Sequence, residues 1–258
     1  MRIVSWNVNS IRARLEQVLR FCSEQQPDVL ALQETKVEDA DFPAEPFRAL
    51  GYELVLNGQR AYNGVALLAR GPLADPCLAL ADFPDPQRRF LAVTFGDLRL
   101  INVYVVNGQE VGSDKYAYKL RWLEALKRQL EAELALHPRL IVLGDFNVAP
   151  DDRDVHDPAL WQGQIHCSEP ERAALRAIMA IGLIDAFRRL HPEARAFSWW
   201  DYRQGAFRRD MGLRIDLVLL SEALLPRLVA AGIAREVRAW EKPSDHAPVW
   251  IELSAESA

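Results

Sequence analysis

The sequence predicts a layered α/β fold, two packed sheets with helices outside. Three observations carry this. Runs such as Val29–Leu32 and Leu140-Ile141-Val142-Leu143 have no polar face, so each reads as a strand buried on both sides. Phe90–Phe95 and Leu98–Val105 are separated only by Gly96-Asp97, which marks an antiparallel hairpin. Amphipathic segments alternate with these runs, and their apolar stripes need a sheet face to cover.

In order, Arg2–Trp6 is a short β-rich run ending in Asn7-Val8-Asn9-Ser10. Ile11, Leu15, Val18, Leu19 and Cys22 then fall at helical spacing, and Pro27 closes the segment. The Val29–Leu32 strand delivers Gln33, Glu34, Thr35 and Lys36 at its end, so the first 36 residues have the size of a crossover unit. Glu53–Leu56 and Gly64–Arg70 are β-rich, and Lys115–Leu136 is a long helix with Leu123, Leu126, Leu130 and Leu134 on one stripe. Pro138 stops it, and the run Leu140–Leu143 follows, broken by Gly144 before Asp145, Phe146 and Asn147. Ser168-Glu169-Pro170-Glu171 is a capping box that starts another helix. Ile215–Leu220 is a strand, and Glu236–Trp240 and Val249–Leu253 are expected as strands bracketing Lys242–His246. No low-complexity linker divides the chain, which reads as one domain over 1–258. RIVSWNV and RLIVLGDFNV share a strand-then-Asn pattern, as two similar halves would.

The 258 residues carry a net charge of -5, which argues against indiscriminate coating of nucleic acid but not against an enzyme with a local basic face. MRIVSWNVNS lacks the pattern of a signal peptide, and no apolar run approaches a membrane-spanning length. Cys22, Cys77 and Cys167 are odd in number and lack metal-ligand spacing, as reduced structural thiols would. A cytoplasmic protein without membrane attachment is expected.

The chemistry gathers at strand ends. Asn7, Glu34, Tyr104, Asn107, Asp145, Asn147, Asp216, Asp245 and His246 all lie at or just beyond strand boundaries. The set lacks a Ser or Cys nucleophile with a partnered His, and the chain lacks a glycine-rich phosphate loop. Oxygen-rich sites without thiolate suit hard cations such as Mg²⁺ or Mn²⁺. Metal-assisted phosphodiester hydrolysis follows from such a set. Asp151, Asp152, Asp154, His156 and Asp157 match no calcium loop and are expected to be solvated or packing residues, and His166 and His191 to be structural.

SWNVNSIRA, LQETK, GDFNV, RIDLVLLS and KPSDHAPV, in this order, resemble the exonuclease III family of Mg²⁺-dependent DNA-repair nucleases, from Met1 to Leu253. NGQEVGSDKYAYKL and FSWWDYR look like bacterial members of that branch. The resemblance implies a four-layered α/β sandwich, similar to deoxyribonuclease I. It also implies roles. Glu34 would hold the metal with Asn7 nearby, and Asp145 would orient or deprotonate the attacking water, helped by Asn147. His246 would bind the scissile phosphate with Asp216 paired to its imidazole. Asp245 would serve the metal environment or the leaving group, and Tyr104 with Asn107 would contact phosphate. The metal shell is therefore sought among Asn7, Glu34, Asp145, Asn147, Asp245 and His246. The chain departs from relatives at Asn9, where many carry Asp, at Val106, where proline is common, and at Leu213, where some carry Trp.

Arg203, Arg208, Arg209 and Arg214 interleave with Trp199, Trp200, Tyr202 and Phe207, a composition suited to phosphates and a stacked nucleotide. Trp199, Leu213 and Ile215 are expected to line a small apolar pocket beside the cleaving groups. The reading is a monomeric nuclease on double-stranded DNA that digests 3′ ends, cleans blocked ends and cuts at abasic sites. Its rivals are a catalytically silent nucleic-acid-binding relative and a phosphatase of the same fold.

Overall fold

The strands form where apolar runs can be covered twice. In the computed structural model, which describes residues 1–255, the chain runs β1 (Arg2–Asn7), α1 (Ile11–Gln25), β2 (Val29–Gln33), α2 (Ala44–Ala49), β3 (Glu53–Asn57) and β4 (Val65–Ala69). It continues with β5 (Leu73–Cys77), β6 (Phe90–Phe95), β7 (Leu98–Tyr104), α3 (Asp114–Leu136), β8 (Leu140–Asp145), α4 (Pro158–Trp161), α5 (Glu169–Met179) and β9 (Leu183–Asp185). The last elements are α6 (Ala186–Leu190), β10 (Trp199–Trp200), β11 (Gly212–Leu213), β12 (Asp216–Ser221), β13 (Leu228–Ile233) and β14 (Val249–Leu253). The final three positions of the expected 1–258 span lie outside the described residues.

Two six-stranded mixed sheets result, ordered β13-β14-β1-β2-β4-β3 and β5-β6-β7-β8-β12-β9, with a two-stranded ribbon of β10 and β11 beside them. Each sheet has one parallel pair, β1 with β2 and β7 with β8, and each pair is joined by a helix, α1 or α3. The strand-then-Asn pattern falls on the first strand of one unit, β1, and the second strand of the other, β8. Alternate residues explain why the runs are apolar throughout. Ile3, Val29 and Ala31 face Leu100, Ile141 and Leu143 of the other sheet. Val4, Leu30 and Leu32 face outward beneath Val18, Phe21 and Cys22 of α1. On the far side, Ile101, Val103 and Val142 pack under Trp122, Leu126 and Leu130 of α3 and Leu175 of α5. The layers are helix, sheet, sheet, helix, the four-layered sandwich.

Helix starts follow their caps. Ser10 accepts from the Ala13 amide and Ser113 from the Tyr116 amide. Ser168 and Glu171 form the expected capping box. A central polar link between the sheets runs through Asn102: Gln33 Nε2 donates to Asn102 Oδ1 (2.7 Å), and Asn102 Nδ2 donates to the Leu32 and Ala66 carbonyls (both 2.9 Å). It sits just below the strand ends that carry the polar constellation.

Two expectations need correction. Gly144 does not end its strand but lies inside β8, paired with Val103. Its φ is 147°, and a Cβ there would lie 1.9 Å from the Val103 carbonyl oxygen, so glycine is what lets β7 and β8 approach. Glu236–Trp240 is not a strand. Ala234, Val237 and Trp240 recur every third residue, and Arg235–Ala239 forms a 3₁₀ turn that buries that face. The strand is instead Leu228–Ile233, a bulged edge strand whose Val229 is exposed. Cys22, Cys77 and Cys167 are free, and burial pushes the Cys22 and Cys167 thiols up to about 12. Among the described residues no helix is long and apolar enough to cross a membrane.

Candidate active site

The site forms where the parallel pairs end. Register places Asn7 opposite Gln33, just before Glu34, and Tyr104 opposite Asp145. β12 runs antiparallel to β8, so its first residue, Asp216, also pairs with Asp145. The Ser244–His246 loop is tied to the same edge: Ser244 Oγ donates to the Asn7 carbonyl (2.7 Å) and the Trp6 indole to the His246 carbonyl (3.2 Å).

At the centre, Glu34, Asp145 and His246 each place one ligand-capable atom within 4.8 Å of the others. Asn7 Nδ2 bridges the two carboxylates, 2.9 Å from Glu34 Oε1 and 2.9 Å from Asp145 Oδ2. Its Oδ1 accepts from the Asn9 amide (3.1 Å), which fixes the orientation. Asn7 thus ties the two carboxylates together. Asp145 Oδ1 accepts from the Asn147 amide at 2.9 Å. Burial, with the Asp216 and Glu34 charges, outweighs the attraction of His246 and pushes the Asp145 carboxyl up to about 7.

Asp216 Oδ2 receives both His246 Nδ1 (2.8 Å) and the Ser198 hydroxyl (2.6 Å). Burial opposes charging His246, but the Asp216 and Asp145 carboxylates prevail and push its pKa up to about 10. The ring is therefore an imidazolium, whose Nε2 lies 3.7 Å from Asp145 Oδ2. Tyr104 hydrogen-bonds to Glu34, and burial and the neighbouring carboxylates push its phenol well up, leaving a neutral donor. The Arg89 guanidinium lies 4.6 Å from the centre of its ring. Asn147 takes the left-handed region (φ 51°), its Nδ2 donating to the Val105 carbonyl (2.9 Å) and its Oδ1 accepting from Asn107 Nδ2 (3.3 Å).

Asp245 stands apart from the central triad. It accepts from Asn9 Nδ2 (3.0 Å) and the Trp199 indole (3.0 Å), and although burial works against it, His246 and these donors hold its carboxyl below the usual range. Asn9 also receives Lys36 Nζ (2.5 Å), which pairs with Glu34 Oε2 (2.9 Å). The donor set fits a hard divalent cation. Two oxygen ligands, Glu34 and Asp145, face each other, and the raised Asp145 carboxyl marks a position where added positive charge is favourable.

Trp199 and Arg203 line a cavity of about 640 Å³ with Trp161, Ile165, Ala206 and Met211. Leu213 and Ile215 do not reach it. They are buried with Val155 and Cys167, behind Trp199. Arg214 also leaves the expected basic surface: it is buried and pairs with Asp154 (2.6 Å) and Asp185 (2.7 Å). Arg203, Arg208 and Arg209 remain exposed. Sequence reasoning missed Ser198 and Lys36, whose signals were their places in FSWW and LQETK, and Arg89, which had none.

A fold of this kind with paired carboxylates, a histidine held by an aspartate and two facing carboxamides defines a metal-dependent phosphodiester hydrolase. The model of the "Endonuclease/Exonuclease/phosphatase family" matches residues 4–246. Exodeoxyribonuclease III of Haemophilus influenzae is 38% identical, covering 98% of this chain and all of its own length. Among solved structures, the 3′ phosphatase NExo from Neisseria, bound to a product DNA hairpin, superposes with a TM-score of 0.98 at 43% identity, over 99% of this chain and 100% of that one. An AP endonuclease from Archaeoglobus fulgidus does so at 0.95 and 36%, with the same coverage. The chain belongs to the endonuclease/exonuclease/phosphatase family, within its exodeoxyribonuclease III group.

Proposed function

We propose that this nuclease is a Mg²⁺-dependent 3′-to-5′ exodeoxyribonuclease on double-stranded DNA, with Mn²⁺ able to substitute, that also clears blocked 3′ ends and cuts at abasic sites. It acts as a monomer with one catalytic domain, in the cytoplasm. The observation that carries the reading is the pairing of a proton-accepting carboxylate, Asp145, with an imidazolium, His246, across 3.7 Å.

Glu34, with Asp145, would hold the metal, which supplies charge neutralisation at the phosphoryl oxygens when bound. Asp145, desolvated and flanked by the Asp216 and Glu34 carboxylates, accepts the proton of the attacking water. Asn147 fixes that carboxylate through its amide and shares the phosphate side with Asn107. His246, charged and aligned by Asp216, donates Nε2–H to a phosphoryl oxygen as charge develops there. Tyr104, a neutral phenol beside Glu34, would contact the phosphate. Asp245, fixed by Asn9 and Trp199, lies where it would serve the leaving-group side. Trp199 and Arg203 receive the nucleotide beyond the cut, with Leu213 and Ile215 supporting Trp199 from behind.

The test compares a recessed 3′ end, a 3′-phosphorylated nick, an abasic duplex and a soluble inositol phosphate, each across a Mg²⁺ titration. Metal-dependent release from the DNA substrates alone is expected. Turnover of the inositol phosphate alone would point to the phosphatase rival, and DNA binding without any cleavage to the silent one.

A further inference from the structure

Beneath the Asn147 backbone lies a charged cluster that the cleavage chemistry does not touch. Lys119, on the inner face of α3, is fully buried. An ammonium has three N–H donors and no acceptor. They meet the Asn147 carbonyl (2.6 Å), the Asn107 carbonyl (3.0 Å) and the carboxylate of Glu171, itself fully buried. Glu171 is held in turn by the amides of His166 (3.0 Å) and Ser168 (3.1 Å) and by the Ser168 hydroxyl (2.6 Å). Tyr116 shares that hydroxyl at 2.7 Å.

His166 Nδ1 lies 2.7 Å from the same Asn147 carbonyl. Burial and the Lys119 charge lower its pKa to about 3, so the ring is neutral and its proton sits on Nδ1. The space is closed around the ammonium: a Cβ on Gly108 would lie 2.9 Å from Lys119 Cδ and 3.0 Å from Ile165 Cδ1.

The geometry has a direction. Asn107 and Asn147 present their carboxamides to each other in the site, 3.3 Å apart, and their carbonyls to one ammonium behind it. Asn147 also holds a φ of 51°, a backbone state that persists only where its surroundings enforce it. An apolar residue would fill the volume of Lys119 at no loss of packing, and buried ion pairs are a weak source of stability. What it would not do is grip two carbonyls at once.

We propose that Lys119, braced by Glu171, is a positioning residue for phosphodiester cleavage, locking the Asn107 and Asn147 peptides so that both carboxamides meet the scissile phosphate. This rests on the reading of the site as a phosphodiesterase centre. Lys119→Met should lower kcat on a recessed 3′ end by about 10–100-fold, the size expected of a misplaced contact, with KM unchanged. It should also destabilise the fold, because Glu171 loses its partner. Lys119→Met with Glu171→Gln removes both charges, and it should recover part of the lost Tm, since the Gln NH₂ still faces the amide of His166 or Ser168, while kcat stays low. Lys119→Arg keeps the charge without three convergent donors. Its larger planar group crowds the closed space, so Tm should fall, and the folded protein should show the same loss of kcat, whatever the double variant does.

A reading independent of cleavage comes from the side-chain NH₂ resonances of Asn107 and Asn147 in ¹⁵N-labelled protein. In all three variants these should move toward the positions of freely rotating carboxamides. Wild-type kcat in folded Lys119→Arg or in the double variant, or unmoved NH₂ signals, would overturn the proposal. Failure of the wild-type protein to cleave DNA would instead sink the phosphodiesterase reading, and the NH₂ signals would still report on the clamp.

Discussion

Replacing Asp145 with Asn should stabilise the metal-free protein at pH 8 while nearly abolishing turnover. Asp145 keeps its proton in the folded chain up to about pH 7, against an ordinary value of 3.8. Between those two values the unfolded chain has already lost the proton, so it binds fewer protons than the folded one. Stability therefore falls as pH rises through this window and levels off above 7. A shift of about three units corresponds to roughly 4 kcal/mol at the plateau, an upper figure because His246 titrates with it. The Asn side chain still accepts from the Asn147 amide through Oδ1, but its NH₂ group faces Asn7 Nδ2. That mismatch costs about 2 kcal/mol.

The net gain at pH 8 is then ~1–2 kcal/mol, or about 2–8 °C in Tm for a chain of this size. Below pH 4 the gain disappears and the mismatch alone remains, so the variant becomes the less stable protein. Thermal melts in EDTA from pH 4 to pH 9 measure this directly. In millimolar Mg²⁺ the order should reverse, because the wild type gains binding energy that the variant lacks. Turnover should fall by about 10²–10⁴-fold with duplex binding retained. A variant that is destabilised by the same amount at pH 5 and pH 8 would refute the reasoning, since Asp145 would then be a carboxylate at ease in its surroundings.

Glu34→Gln should raise the Mg²⁺ concentration needed for half-maximal rate and be partly rescued by excess metal, whereas Asp216→Asn should not respond, because its partner is His246. Matching metal titrations for the two variants would contradict that division. Arg214→Met should lower unfolding stability by about 3–5 kcal/mol in urea by leaving Asp185 buried without its cation and Asp154 with Arg188 alone. Arg203→Ala, by contrast, should leave stability alone and reduce the salt dependence of DNA binding by about one phosphate contact. Trp199→Ala should slow cleavage at abasic sites more than digestion of 3′ ends, since an end can fray into the site unaided. Equal losses on both substrates, with Tm as control, would make Trp199 purely structural.

What could be read before the fold was known follows a physical line. Strand ends were legible because an apolar run that ends at Asn7, Glu34 or Asp145, or opens at Asp216, has only one place to put its polar residue, at the sheet's edge. Arg214 was misread for the opposite reason. Its neighbours in sequence are an arginine-rich surface loop, while its true partners, Asp154 and Asp185, lie 60 and 29 positions away. Lys119 fell on a long helix where a lysine is ordinarily solvated, and its acceptors are backbone carbonyls that no residue type announces. The 3₁₀ turn at Arg235–Ala239 shows the same limit on a smaller scale: five residues are too few to separate a period of three from one of two.

The two crossover units explain how similar carboxylates come to differ. β1-α1-β2 delivers Glu34 and β7-α3-β8 delivers Asp145, both just at or past the end of a parallel pair. Glu34 follows its strand by one residue, and its side chain is 18% exposed, within reach of solvent and of an exchanging cation. Asp145 is still inside its strand, its side chain 2% exposed, because Gly144 draws β8 close against β7. One residue of register thus sets the depth of each carboxylate, and depth sets its chemistry. The shallower group is placed to recruit charge from solution, and the deeper one, desolvated, is placed to take a proton near neutral pH. The imidazolium of His246 keeps the deeper group from being neutralised outright, and Asp216 keeps the imidazolium charged. A substitution at Gly144 would therefore disturb more than strand packing. By pushing β8 away from β7 it would lift Asp145 toward solvent, lower its proton affinity and weaken the base before any catalytic group had been changed.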